Sequence, residues 1–170
     1  MRKVKLFIAM SLDGYIARED DSVDWLDSIE GSGDNGYKVF YNTVDTLIMG
    51  RRTYDWVSKH TDTNPYKGKT TYVITSNKQE DQSDVKFSDN PIELIQTLKN
   101  QTGKDIWLVG GGEAVHTLMD KNLVDEFIIT IAPIVLGSGI KLFQGQQADL
   151  VQTKITAFNQ FTQIHYRIKE

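Results

Sequence analysis

Apolar residues fall in short blocks along this chain, and the blocks show two periods. Val4–Met10, Thr46–Met49, Thr71–Thr75, Val85–Phe87, Ile106–Val109 and Phe127–Val135 are nearly continuous apolar runs. Such runs are expected of strands buried on both faces. Val151–Phe158 and Phe161–Ile168 alternate apolar with polar residues, which predicts antiparallel strands with one wet face, and "FNQF" between them is a hairpin turn. Helical stretches separate the earlier runs, at Asn35–Thr43, Arg52–Lys59 and "NPIELIQTLKN", where Asn90 caps, Pro91 opens the helix and Glu93 closes a capping box. A fourth follows Gly112, with Val115, Leu118 and Met119 at helical spacing. The alternation predicts an α/β fold with a mainly parallel sheet covered on both faces, closed by a C-terminal antiparallel hairpin. No repeat, linker or low-complexity tract breaks it, so residues 1–170 are expected to form a single domain.

Composition narrows the function. A net charge of −4 argues against a nucleic-acid footprint. The chain has no cysteine, which excludes disulfides, thiol catalysis and cysteine metal sites. His60, His116 and His165 show no metal spacing, and no metal is expected; His116 and His165 are read as facing solvent. No apolar run approaches the roughly 18 residues of a membrane span. The basic start "MRKVKLFIAMSLDG" lacks a small-residue cleavage site and reads as a first strand. The expected location is the cytoplasm, without membrane partners.

In parallel sheets ligands bind where strands run into helices. Four such loops stand out: "AMSLDGYIA" after the first strand, and three whose residues suit phosphate. "DIWLVGGGEAV" places Gly110, Gly111 and Gly112 between a strand and a helix. The triplet is either a tight turn needing positive φ or bare backbone for a phosphate at a helix N-terminus. Gly50, Arg51, Arg52 and Thr53 begin another helix, and Thr75, Ser76, Asn77 and Lys78 end another strand. Guanidinium forks and hydroxyls bind phosphate, although each of these residues alone also fits a solvated surface. Three such loops at one sheet edge suit a dinucleotide, but the spacing is not the G-x-G-x-x-G fingerprint.

The motifs "IAMSLDGYIA", "LIMGRRTY", "YVITSN", "IWLVGGGEAV" and "IAPIVLGSG" occur in this order over nearly the whole chain. Together they resemble the dihydrofolate-reductase-like superfamily. The closer match is to stand-alone relatives of the reductase domain of riboflavin-biosynthesis deaminase-reductases. The resemblance implies a three-layer fold with an eight-stranded, mixed but mostly parallel sheet and about four flanking helices. It implies an oxidoreductase that transfers hydride from NADPH to a small heterocycle, as 5-amino-6-(5-phosphoribosylamino)uracil reductase does. Ala9 and Ile16 would border the nicotinamide. Arg51, Arg52 and Thr53, with Gly50, would hold phosphates, and Thr75, Ser76, Asn77 and Lys78 would surround the adenosine 2′-phosphate. Gly110, Gly111 and Gly112 would approach the pyrophosphate, with a cis peptide between the first two, and Val109, Glu113 and Ala114 would also bind the cofactor. Asp13 and Gly14 would begin a mobile loop over the site. Asp13, Trp25 and Thr130 would contact substrate, and a homodimer is implied.

Two positions depart from these relatives. Gly36 stands where dihydrofolate reductases place a substrate carboxylate, and Val109 stands where riboflavin reductases usually have glutamate. Asp34 is the candidate replacement, as a catalytic or anchoring carboxylate, or else it caps a helix. Trp25 is a pocket or a core aromatic, and Thr130 is a substrate hydroxyl or a strand former. Ser138 or Lys141 reaches substrate, or their loop is a plain glycine turn. "EFIITIAPIVL" would aggregate if it were an open edge, which supports a dimer; otherwise it is interior. A dihydrofolate or pterin reductase, and a nucleotide-binding protein without turnover, remain alternatives.

Overall fold

The computed structural model describes residues 1–77 and 79–170, so the expectation for Lys78 lies outside the described residues. In chain order the elements are β1 (Val4–Ser11), β2 (Tyr15–Ala17), a 3₁₀ turn (Asp24–Leu26), α1 (Tyr37–Tyr41), β3 (Val44–Gly50) and α2 (Arg51–His60). Then come β4 (Thr70–Ile74), β5 (Val85–Ser88), α3 (Pro91–Asn100), β6 (Asp105–Gly110) and α4 (Gly112–Asp120). β7 (Glu126–Ala132), β8 (Ile140–Lys141), β9 (Leu150–Phe158) and β10 (Phe161–Ile168) complete the chain. No described helix is long and apolar enough to cross a membrane.

The main sheet has eight strands in the order β5-β4-β3-β6-β1-β7-β10-β9. The first six run parallel, and β10 runs antiparallel to both of its neighbours, β7 and β9. This is the expected three-layer α/β arrangement. On one face α3 and α4 bury Ile95, Leu98, Val115 and Leu118 against Leu6, Ile106, Leu108 and Phe127. On the other, α1 and α2 cover Leu47, Met49, Val73 and Trp107 with an aromatic layer. α3 begins as its sequence dictates: the Asn90 Oδ1 accepts from the Glu93 amide at 3.2 Å, with Pro91 in the first turn.

β7 lies between β1 and β10, so the strand part of "EFIITIAPIVL", Glu126–Ala132, is interior and not the open edge that would favour a dimer. It stops at Ala132 because Pro133 cannot donate to the ladder. The outer strand is β9, whose Ile155 is 55% exposed. The alternation there marks a face that runs beyond the covering helices, not a buried one. α1 is shorter than expected, because Gly36 holds φ +78° immediately before it. The basic start of the chain serves the edge opposite the strand-to-helix loops. There Lys3 pairs with Glu126 at 2.6 Å and Lys5 with Asp105 at 2.9 Å.

Candidate functional site

The C-terminal ends of β4, β3, β6 and β1 lie side by side. They bring the 75–77, 50–53 and 110–114 segments and the end of β1 into one row. Three strand spacings give roughly 14 Å, the reach of an extended dinucleotide. Gly110 and Gly111 turn the chain with φ +147° and +91°, and there is no cis peptide among the described residues. The expected cis bond is therefore corrected: two left-handed glycines make the turn with trans geometry. A Cβ on Gly111 would stand 3.2 Å from the Thr53 Oγ1 and 3.6 Å from the Gly50 nitrogen. The two strand-to-helix turns thus meet as bare backbone at the N-termini of α2 and α4, where amides and helix dipoles favour anions.

Arg51 supplies the cation beside them. Its Nε donates to Asp55 at 2.9 Å one helical turn on, and its Nη1 is buried with no partner among the described residues. A buried guanidinium N–H needs an acceptor, and a phosphate oxygen matches it. Arg52 differs: it is mostly exposed and gives two hydrogen bonds to Asp21, at 2.8 and 2.9 Å. Thr75 accepts from the Asn77 amide at 3.1 Å, shaping a turn that leaves Ser76 and Asn77 exposed. Ala114 is buried at the start of α4 and Glu113 is exposed. Ile16, in β2, packs against the core under α4.

One strand further along lies a pocket of about 450 Å³ on the α1 face of the sheet. Phe7 and Ala9 of β1 and Thr130 of β7 form its floor, and Tyr37, Leu26, Ile29 and Phe161 wall it. Apart from Ala9 and Thr130, these residues carried no motif. Their signal was only the density of aromatics between Tyr37 and Tyr41 and at Phe161. Burial pushes the Tyr37 hydroxyl up to about 12, with Tyr66 and Tyr41 adding to it.

Asp34 reaches the rim of this pocket, but its carboxylate accepts from the backbone amides of Gly36 at 3.1 Å and Lys38 at 2.9 Å. It sits as a cap on α1. Trp25 is 3% exposed and packs with Ala132 and Phe161, one layer behind the pocket wall. Val109 faces the aromatic layer under α1 and α2. Lys141 meets the glycine turn through its backbone, 3.1 Å from where a Gly112 Cβ would be. His165 does not point to solvent as expected. It is half-buried, with its Nε2 3.1 Å from the Gln163 Oε1. Burial holds it below the usual imidazole range, helped by Lys154 and Lys5 against Glu126. His116 is only partly exposed and lies 3.3 Å from Asp120.

Asp13 is tied into the loop beyond β7. Its carboxylate accepts from the Ser11 hydroxyl at 2.6 Å and from the amides of Leu136 at 3.1 Å and Gly137 at 2.8 Å. These bonds, the Ser11 hydroxyl foremost, hold it below the usual carboxylate range. A depressed folded pKa means the tie is present above the unfolded value and is lost as pH falls through the folded one. Hydrogen exchange should show the Leu136 and Gly137 amides protected near neutrality and released in acid below the carboxylate range. In Asp13→Ala they should be unprotected at both pH values, and unchanged protection in that variant would refute the tie.

Comparison with known proteins shows the family and the fold. The family model of the RibD C-terminal domain matches residues 2–164. The uncharacterized Bacillus subtilis (strain 168) protein YwjB is 46% identical over 169 residues, 97% of each chain. A crystal structure from Shewanella sp. PV-4, of a protein assigned provisionally to riboflavin biosynthesis, superposes with a TM-score of 0.86 at 30% identity over 99% of both chains. Dihydrofolate reductase from Enterococcus faecalis, complexed with NADP(H), shares the fold with a TM-score of 0.72 at 16% identity, over 99% of this chain and 97% of its own. The chain therefore belongs to the RibD C-terminal domain family and is built on the dihydrofolate-reductase-like fold.

Proposed function

We propose that this protein is an NADPH-dependent reductase of a small, flat heterocycle. The observation that carries the reading is the buried Nη1 of Arg51, without a partner among the described residues, beside the bare-backbone meeting of Gly50 and Gly111. An aromatic-walled pocket lies one strand away from that cradle. Arg51, Thr53 and the amides of the two turns would hold the phosphates, and Ala9 would border the nicotinamide. When bound, the cofactor supplies the hydride, and the protein supplies position and electrostatics. Phe7, Tyr37 and Phe161 would stack on the substrate ring and exclude water around it. Among the described residues no carboxylate projects freely into the pocket, since both oxygens of Asp34 accept from amides. This argues for a ring anchored by neutral groups, unlike dihydrofolate, and leaves a uracil-type ring as the better fit.

Isothermal titration with NADPH, then steady-state NADPH oxidation against pterins, flavins and ribosylaminopyrimidines, tests the reading. NADPH should bind, and at least one pyrimidine-type ring should accelerate its oxidation. Tight binding with no turnover on any ring would leave a nucleotide-binding protein, and absence of binding would remove the cofactor reading altogether.

A further inference from the structure

Gln163, on β10 directly across from Thr130 of β7, is 4% exposed and has no place in the mechanism above. Its carboxamide has two N–H donors and one acceptor oxygen. The Nε2 lies 3.3 Å from the Asn35 carbonyl oxygen and 3.1 Å from the Thr130 Oγ1. A carbonyl only accepts, so the amide nitrogen must face Asn35 and Thr130. The Oε1 then faces the His165 Nε2, 3.1 Å away, which must carry the donated hydrogen. Every polar atom of Gln163 is thereby assigned, and the Thr130 Oγ1 is an acceptor in that bond. The Thr130 proton has no acceptor among the described residues, and Thr130 lines the pocket. A buried hydroxyl proton without an acceptor is costly, and the pocket is the space left for one.

We propose that Gln163 is a positioning residue that fixes the Thr130 hydroxyl as a donor into the pocket, so that the ring bound there is selected for a carbonyl oxygen at that point. The inference rests on the reading of this pocket as the substrate site, and it narrows the substrate class to oxo-heterocycles. An amino group at the same position meets a donor and is rejected, because a buried polar pair of like kind satisfies neither partner.

The probes are 2,4-dioxopteridine and 2,4-diaminopteridine, bound to the NADPH complex and followed by ligand fluorescence. The wild type should prefer the dioxo ring by about tenfold or more. Gln163→Glu puts an acceptor where the amide nitrogen stood. Thr130 must then donate to it and show the pocket a lone pair, so the preference should invert. Gln163→Met should bring the ratio close to one. Thr130→Ser should keep the wild-type preference and Thr130→Val should abolish it. Gln163→Glu combined with Thr130→Val should behave as Thr130→Val alone, because the effect passes through the hydroxyl. Unaltered NADPH binding and thermal unfolding in each variant exclude misfolding as the cause. A wild-type preference for the diamino ring, or an equal loss of both rings in Gln163→Glu, would overturn the proposal. If neither ring binds while NADPH does, the reading of the pocket as a substrate site falls, and this assignment with it.

Discussion

Replacing Arg51 with methionine should weaken NADPH binding roughly 10- to 150-fold. That is the value of one charge-assisted hydrogen bond, about 1.5–3 kcal/mol. The motive is the buried Nη1, which has no partner among the described residues and sits at a turn already stripped of side chains. Methionine keeps much of the apolar stem, so packing at the start of α2 should survive. The ion pair with Asp55, at 30% and 45% side-chain exposure, is a helix-surface pair worth only about 0.3–0.5 kcal/mol, so stability should change little. Arg52→Ala should have the smaller effect on binding, because that guanidinium is 70% exposed and already engaged by Asp21. The Arg51 loss should be larger for NADPH than for NADH if the guanidinium reaches the 2′-phosphate. An equal loss places it on the pyrophosphate. Titrations with both cofactors decide, and an Arg51 variant that binds NADPH as the wild type does would refute the phosphate role.

Trp107→Ala should be the most destabilising single change near the site. Trp107 is 5% exposed and stands edge-on to Phe7, Tyr37, Phe40, Tyr41 and Tyr66 at centroid distances of 5.5–6.3 Å. Its Nε1 donates to the Phe7 carbonyl at 3.1 Å. Truncation leaves a large cavity and an unmatched carbonyl, at a cost of about 3–5 kcal/mol. In a chain of this size that corresponds to a fall in Tm of roughly 6–20 °C. Because Phe7 and Tyr37 also line the pocket, ring binding should weaken together with stability. Trp107→Phe keeps most of the packing and should lose far less on both counts. Thermal unfolding of the two variants, with ring binding measured well below either transition, checks the link. Full stability in the alanine variant would show that the aromatic layer is not a unit.

The elements that periodicity makes visible are those with enough length to repeat. The buried runs of β1, β3, β6 and β7 and the capped start of α3 announce themselves, because their apolar spacing follows their burial. β2 and β8 do not, since Tyr15–Ala17 and Ile140–Lys141 are too short for any period. β9 misleads: Ile155 belongs to an alternation whose apolar side is largely uncovered. The meeting of the two glycine turns beside Arg51 was legible because glycines and arginines cluster locally at helix starts. The pocket was not, because Phe7, Tyr37, Thr130 and Phe161 converge only through the strand order. His165 shows the same limit. Strand alternation gives its face but not whether anything covers that face.

The strand order has a consequence for how the chain acquires its structure. β1 sits in the middle of the sheet, yet Val4 pairs with Ile106 and Lys5 with Glu126, more than a hundred residues later. Hairpin zippering cannot help it, because both neighbours are parallel and distant. Loop closure over such a span comes before any reward from pairing, so folding should be slow for the size of the chain. On the ribosome β1 is made early and must wait, apolar and unpaired, until β6 and β7 emerge. That interval is when the chain is most exposed to association with its own copies or to capture by a chaperone. Its first half alone should not fold, and splitting the chain between β5 and β6 should leave two insoluble pieces that regain structure only together.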